Sequence, residues 1–141
     1  MIFHAKIKKE ENGYQIQFIE LPNVVTFSEK KENIIGIARE ALVGCVEADL
    51  DRLLDLPLPK KIKAKNIISI SLPLHLSCVI LFKKLRHKER LTTAEIAKKL
   101  GISRQAYERL ESSRANPSAE TIERVLTVLG ASYIEITVLA A

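Results

Sequence analysis

Apolar and polar side chains alternate along the first part of the chain, and further on the period lengthens. Tyr14-Gln15-Ile16-Gln17-Phe18 sets Tyr14, Ile16 and Phe18 on one face, the two-residue repeat of a half-buried strand. Ahead of it, Ile2 to Lys9 alternates in part. Glu11-Asn12-Gly13 joins the two, because Asn-Gly accepts the positive φ angles of a tight hairpin. Glu20-Leu21-Pro22-Asn23 breaks the pattern, since proline donates nothing to a ladder. The β-branched run Val24–Phe27 then predicts a third strand of an antiparallel meander.

From Ser28 the spacing becomes helical. Ser28 is placed as the N-cap with Glu29 in the first turn, and Ile34, Ile37, Ala38, Ala41, Leu42, Cys45 and Ala48 recur at three and four residues. The helix runs to about Leu54 and is stopped by Pro57 and Pro59. After a Pro/Lys connector over 57–66, Ile67–Leu72 alternates again as a fourth strand. It either closes the sheet edge or pairs with the same strand of a second chain. One helix across a small sheet buries one face of each and suffices for a core. Residues 1–72 are therefore expected to form one domain.

The remainder, residues 73–141, reads as a second domain. Leu76 to Leu85 is helical after Pro73, and LTTAEIAKKLGISRQAYERLE over 91–111 is a helix-turn-helix. Thr92 or Thr93 caps the first helix, with Glu95 in its first turn. Ile96 and Leu100 face inward, and Ala97 is small where the second helix crosses. Gly101 supplies the left-handed turn, Ile102 packs beneath it, and Ser103 caps the next helix, held by Tyr107 and Leu110. Ser118 caps another helix with the stripe Ile122, Val125, Leu126 and Leu129, stopped at Gly130. Tyr133–Leu139 alternates as a last strand, which needs a partner: the same strand of a second copy, or the first sheet. The fold class expected is α+β: a small antiparallel sheet with one covering helix, then an all-α helix-turn-helix domain with a C-terminal strand.

Charge divides along the same line. Residues 1–59 carry a net −3, KKIKAK at 60–65 adds four lysines, and 83–130 carry a net +5. An acidic first half and a basic second half suit different partners, and a basic patch concentrates polyanions. Hydrophobic residues at 47% and charged residues at 28% of 141 exclude a disordered chain. The apolar stretch 67–82 is interrupted by serines, Pro73 and His75 and is too short to span a bilayer, so no membrane role is expected. MIFHAKIKKEENG has no apolar core after a basic start, so no secretory segment is expected, and Cys45 and Cys78 form no C-x-x-C pair. With three scattered histidines, a zinc ribbon or finger is excluded and a reducing cytoplasm is expected.

The outward positions of the second helix of the helix-turn-helix are the chemical candidates. Such a helix lays its N-terminal part in the major groove. Arg pairs with guanine O6/N7 and Gln with adenine N6/N7, so Arg104 and Gln105 are the base readers. Ser103, Arg109, Arg114 and Asn116 are assigned to phosphates, which fix position without specifying sequence. Glu108 either accepts from a cytosine amine or pairs with Arg104 at i,i+4, and the spacing favours the pair. A homodimer, or a higher even oligomer, built through the C-terminal domain would present two such helices to a palindromic operator.

Two family resemblances bear on these readings. Ser103-Arg104-Gln105, Arg109-Leu110-Glu111 and the Asn116-Pro117-Ser118 helix start resemble the Xre/Cro-repressor class over about residues 76–130. Gly13-Tyr14, Glu20-Leu21-Pro22-Asn23, Val25-Thr26 and Ala38-Arg39-Glu40-Ala41-Leu42 resemble the HicB antitoxin family over roughly residues 1–72. Asn23 stands where that family usually has Gly, and Phe27-Ser28-Glu29 replaces its Gly-Asp-Thr run. The HicB resemblance implies a partial RNase H-like sheet that blocks a HicA-like, mRNA-cleaving toxin, with the operon repressed by the second domain. Toxin contacts are then expected near Tyr14, Glu20, Leu21 and Asn23.

Nothing in the sequence argues for catalysis or for a cofactor. Phosphate-cradling glycine motifs are absent, and His4, His75 and His87 have no carboxylate or cysteine companion at useful spacing. An RNase H-type enzyme needs several strand carboxylates for Mg²⁺, whereas here only Glu10, Glu11 and Glu20 are available. The rival to an antitoxin is a stand-alone helix-turn-helix regulator whose first domain senses a small ligand or a protein.

Overall fold

The structure is a computed structural model and describes residues 1–60, 62 and 64–131. The strand expected at Tyr133–Leu139, and Lys61 and Lys63 of the connector, lie outside the described residues. The chain divides into two compact units after Ser77.

In the first unit, β1 (Ile2–Glu10), β2 (Gly13–Phe18), β3 (Val25–Ser28) and β4 (Ile67–Ser71) form an antiparallel sheet in the order β3-β2-β1-β4. The fourth strand thus closes the edge beside β1, with Phe3 opposite Ile70 and Ala5 opposite Ile68. On the other side of β1, Ala5 faces Phe18 and Ile7 faces Ile16. Directly opposed residues share a face, so this register gathers Phe3, Ala5, Ile16, Phe18 and Ile70 into one buried surface. Helix α1 (Ile34–Asp51) covers that surface.

The start, end and stripe of α1 differ from the sequence reading. Ser28 does not cap it; it ends β3, and its hydroxyl donates to the Lys30 carbonyl at 2.7 Å. A 3-10 turn over Lys31–Asn33 then leads into the helix, whose Asn33 N-cap makes no side-chain cap bond. The helix closes at Asp51, before Leu53 takes a positive φ of 58°. The buried line is Ile34, Ala38, Leu42, Val46 and Leu50, a strict four-residue repeat, while Ala48 is exposed.

The unit boundary falls inside α2 (Leu74–Lys88) rather than at Pro73. The reason is local: the Met1 ammonium donates to Ser77 Oγ at 3.1 Å, and Leu72 N–H donates to the Met1 carbonyl at 2.9 Å. The first turn of α2 is thereby tied to the chain's own start.

The second unit contains the rest of α2, α3 (Thr93–Leu100), α4 (Arg104–Leu110) and α5 (Ala119–Val128). Phe82, Ile96, Ala97, Leu100, Tyr107, Val125, Leu126 and Leu129 form its core, with Leu85, Ile102, Leu110 and Ile122 packed at the margin. The starts of α3, α4 and α5 are each fixed by a hydroxyl. Thr92 and Glu95 make a reciprocal capping box, Ser103 Oγ accepts from Ala106 N–H at 3.1 Å, and Ser118 Oγ accepts from Thr121 N–H at 3.2 Å. Gly101 ends α3 at φ 68°, ψ 31°. The free carbonyl of Leu100 there is taken by Arg124 Nη2 at 3.0 Å.

Candidate functional site

The helix-turn-helix is built by α3, the Gly101 bend and α4. The left-handed bend lets Ile102 N–H return to the Ala97 carbonyl at 3.0 Å, and Ile102 packs against the core. Tyr107 is fully buried and pins α4 from below. With one face of α4 fixed, Ser103, Arg104, Gln105, Glu108 and Arg109 all lie exposed. Arg114 and Asn116, in the turn that follows, are exposed too. All seven residues named for nucleic-acid contact are therefore at the surface.

Arg104 and Glu108 pair, Nε to Oε1 at 2.7 Å, and the same Oε1 accepts from Thr93 Oγ1 at 3.2 Å. The Arg104 hydrogen bond holds the Glu108 carboxyl below its ordinary range. Glu95 is also held low, by the Thr92 backbone N–H and then the Thr92 hydroxyl.

Beneath α4 sits a polar group that the sequence reading missed. Arg86 reaches Glu111 through two parallel bonds, Nε to Oε1 at 2.7 Å and Nη2 to Oε2 at 2.8 Å, and Nη1 donates to the Leu91 carbonyl at 3.0 Å. Tyr107 adds its hydroxyl to Glu111 Oε1 at 2.7 Å. The Glu111 side chain is 6% exposed, so the bidentate pair fixes α2 to the end of α4 in a nearly dry setting. The Glu111 bond pushes the Arg86 guanidinium up against the opposing effect of burial. Burial, followed by the neighbouring Glu111 charge, pushes the Tyr107 phenol far up, so it stays a donor. Tyr107 and Glu111 stand at i,i+4, a spacing that could have marked them as a pair, whereas Arg86 becomes their partner only through tertiary packing.

In the first unit the four residues expected at a partner surface separate into two kinds. Asn23 is exposed and Tyr14 is half-buried. Leu21 is buried, and the Glu20 side chain is only 1% exposed. Glu20 accepts from His4 N–H at 3.0 Å, from His4 Nδ1 at 2.7 Å and from Lys60 N–H at 3.3 Å. Glu20 and Leu21 therefore hold the turn to β1 and to the connector, and their side chains offer no surface for a partner. This also corrects the reading of His4, which has a carboxylate companion sixteen residues on once the hairpin forms. Burial pushes the Glu20 carboxyl up, but the His4 side-chain and backbone bonds outweigh it and hold the group below its ordinary range. The apolar side chains left exposed next to Asn23 are Val25 and Phe27, on the edge strand β3. Leu53, Leu54 and Leu58 are exposed after α1.

Among the described residues no group of three or more His, Cys, Asp or Glu is placed to hold a metal ion. No described helix is long and apolar enough to cross a membrane.

Comparison with known proteins gives two matching family models, which overlap at residues 79–80, just past the unit boundary. A helix-turn-helix domain matches residues 79–138, and the HicB-like antitoxin of bacterial toxin–antitoxin systems matches residues 3–80. The chain is 24% identical over 130 residues to antitoxin HicB 2 of Photorhabdus laumondii subsp. laumondii, covering 92% of this chain and 91% of that one. It is 22% identical over 120 residues to antitoxin HicB of Escherichia coli strain K12, covering 85% and 86%. A solved chain of the HicA3 and HicB3 toxin-antitoxin complex aligns at 20% identity with a TM-score of 0.46, over 52% of this chain and 99% of that one. With its four-stranded sheet unit followed by a helix-turn-helix, the chain belongs to the HicB-like antitoxin family of bacterial toxin–antitoxin systems.

Proposed function

We propose that this antitoxin covers a HicA-like, RNA-cleaving toxin with its first unit and represses its own operon with its second. The observation that carries the DNA half is the α4 surface. A Ser103-capped helix leaves the Gly101 bend with Arg104 and Gln105 in solvent, in a segment of net charge +5 over 83–130. Arg104 and Gln105 read base edges, while Ser103, Arg109, Arg114 and Asn116 engage phosphates. A homodimer or a higher even oligomer, assembled through the C-terminal domain, offers two such helices to two half-sites.

The toxin half rests on charge and on accessible apolar surface. A ribonuclease needs a cationic face for RNA, and residues 1–59 carry a net −3 that complements one. The contact is assigned to the β2–β3 turn and the edge strand, at Asn23, Val25 and Phe27, while the half-buried Tyr14 shares the opposite face of the sheet with the buried Ile16. The mechanism is occlusion, with no catalytic step by this chain, in the cytoplasm where transcript and operon are both found.

Co-expression with the product of an adjacent short basic reading frame tests the toxin half. The two proteins are expected to elute together, and the complex is expected to leave RNA uncut. Separate elution with undiminished cleavage overturns it. A mobility shift on the DNA upstream of the gene, competed poorly by random duplex, tests the DNA half.

A further inference from the structure

We propose that Glu108 is a positioning residue for base recognition: anchored by Thr93, it holds Arg104 so that the terminal nitrogens of the guanidinium face the groove. The inference rests on the DNA-binding reading above and assigns a specificity-determining role within that surface.

Three observations support it. First, the bond from Arg104 goes through Nε, at 2.7 Å to Glu108 Oε1. A guanidinium has five N–H donors, and engaging Nε leaves the Nη1 and Nη2 pair free. Two adjacent donors are what the O6/N7 edge of guanine takes. Secondly, the pair is not a floating surface contact. Glu108 Oε1 also accepts from Thr93 Oγ1 at 3.2 Å, and Thr93 is the first residue of α3, locked by the Thr92–Glu95 capping box. The helix that crosses above α4 thus sets the rotamer of Glu108, and Glu108 sets that of Arg104. Thirdly, the arrangement is open to solvent, with the side chains of Arg104 and Glu108 65% and 41% exposed. Exposed i,i+4 pairs contribute little to stability, so fold maintenance does not account for the chain of bonds. A long arginine left free samples many rotamers and loses them on binding; one already held loses fewer.

A carboxylate on a face that meets phosphates also repels every duplex alike. Removing it is therefore expected to move two quantities in opposite directions. Selection from a randomised duplex pool with the full-length protein gives the preferred site, and single-position variants of that site give the selectivity at each base pair. Arg104→Ala marks the base pair that Arg104 reads. Glu108→Ala is expected to bind random duplex more tightly and to lose selectivity at that same base pair, by about three- to tenfold, part of what a bidentate pair supplies. Glu108→Gln loses the charge but keeps an oxygen that accepts from both Nε and Thr93. It is expected to bind random duplex more tightly and to keep its selectivity. Thr93→Val keeps the charge and loosens the anchor, and a smaller loss at that base pair is expected without a gain on random DNA.

Unchanged selectivity in Glu108→Ala overturns the proposal. So does an equal loss in Glu108→Ala and Glu108→Gln, which would make charge the cause, or a loss spread evenly over the site. If the unaltered protein selects no duplex, the DNA-binding reading fails and takes this inference with it.

Discussion

Glu20 shows how one side chain can be spent inside the molecule although its position in a turn suggests a surface role. Its two oxygens take three hydrogen bonds, from the two ends of His4 and from the Lys60 backbone. Those bonds favour the ionised form and hold its carboxyl below the ordinary value of 4.5. A carboxyl lowered in the folded state stabilises the fold above its unfolded pKa, and that contribution is lost as pH falls through the folded value. Stability is thus expected to drop on acidification below about 4.5, and urea titrations from pH 7 downward measure it. Glu20→Gln keeps the shape but is a poorer acceptor, and is expected to cost about 1–3 kcal/mol at pH 7 and to flatten the acid limb. At the α4 surface the residue-scale contrast is between reading and positioning. Arg104→Ala is expected to weaken cognate DNA and relax one base preference, whereas Arg114→Ala weakens all duplexes alike and lowers the salt slope by about one. Equal losses of Arg104→Ala on cognate and random duplexes would remove it from base reading.

Elements whose cues lie close together in sequence were legible; those fixed by distant partners were not. The α3–α4 pair carries its instructions within a few residues: the Thr92–Glu95 box, the Gly101 bend and the Ser103 cap all occur where the sequence puts them. The α1 start was misjudged because Ser28 and Glu29 look like a cap, while the Ser28 hydroxyl is drawn to the Lys30 carbonyl and a 3-10 turn intervenes. His4–Glu20 and Arg86–Glu111 were invisible because each depends on a register or a packing angle set by the whole unit. The two bends also differ in what glycine does. At Gly101, φ is 68° and an added Cβ meets nothing within 4 Å, so Gly101→Ala costs only the left-handed backbone, about 1–2 kcal/mol. At Gly13, φ is 152° and a Cβ would lie 2.4 Å from the Ser28 carbonyl oxygen and 2.9 Å from Glu29 Cα. Both are backbone atoms of β3 and the residue after it, which cannot swing aside, so Gly13→Ala is expected to cost more, on the order of 3 kcal/mol. Thermal melts of the two variants give the order, and a milder loss for Gly13→Ala would mean that the β2–β3 edge yields.

At the scale of the molecule, the chain carries an acidic stretch, net −3 over residues 1–59, and a basic one, net +5 over 83–130, on separately cored units, and that arrangement predicts that the two activities can be broken apart. Phe27 lies on the exposed edge strand of the first unit, opposite Gln15 and away from the α1 core. Phe27→Lys places a cation on an edge where lysine is well tolerated, so folding is expected to survive. Against a cationic toxin the same change places a like charge in the contact and removes an apolar side chain, and slower association with loss of co-elution is expected, more marked at low salt where charges are least screened. Because α4 has its own caps and its own core, operator affinity of the free protein should stay within about twofold, a difference smaller than the ~1.4 kcal/mol that makes a tenfold change. Arg104→Ala is expected to show the reverse: toxin held, RNA protected, operator binding weakened. Measuring both variants for both activities gives four numbers, and the pattern has to be crossed. If Phe27→Lys weakens operator binding as much as it weakens toxin binding, the edge strand serves the fold or the assembly rather than the toxin, and the partner face must be sought on the exposed leucines that follow α1.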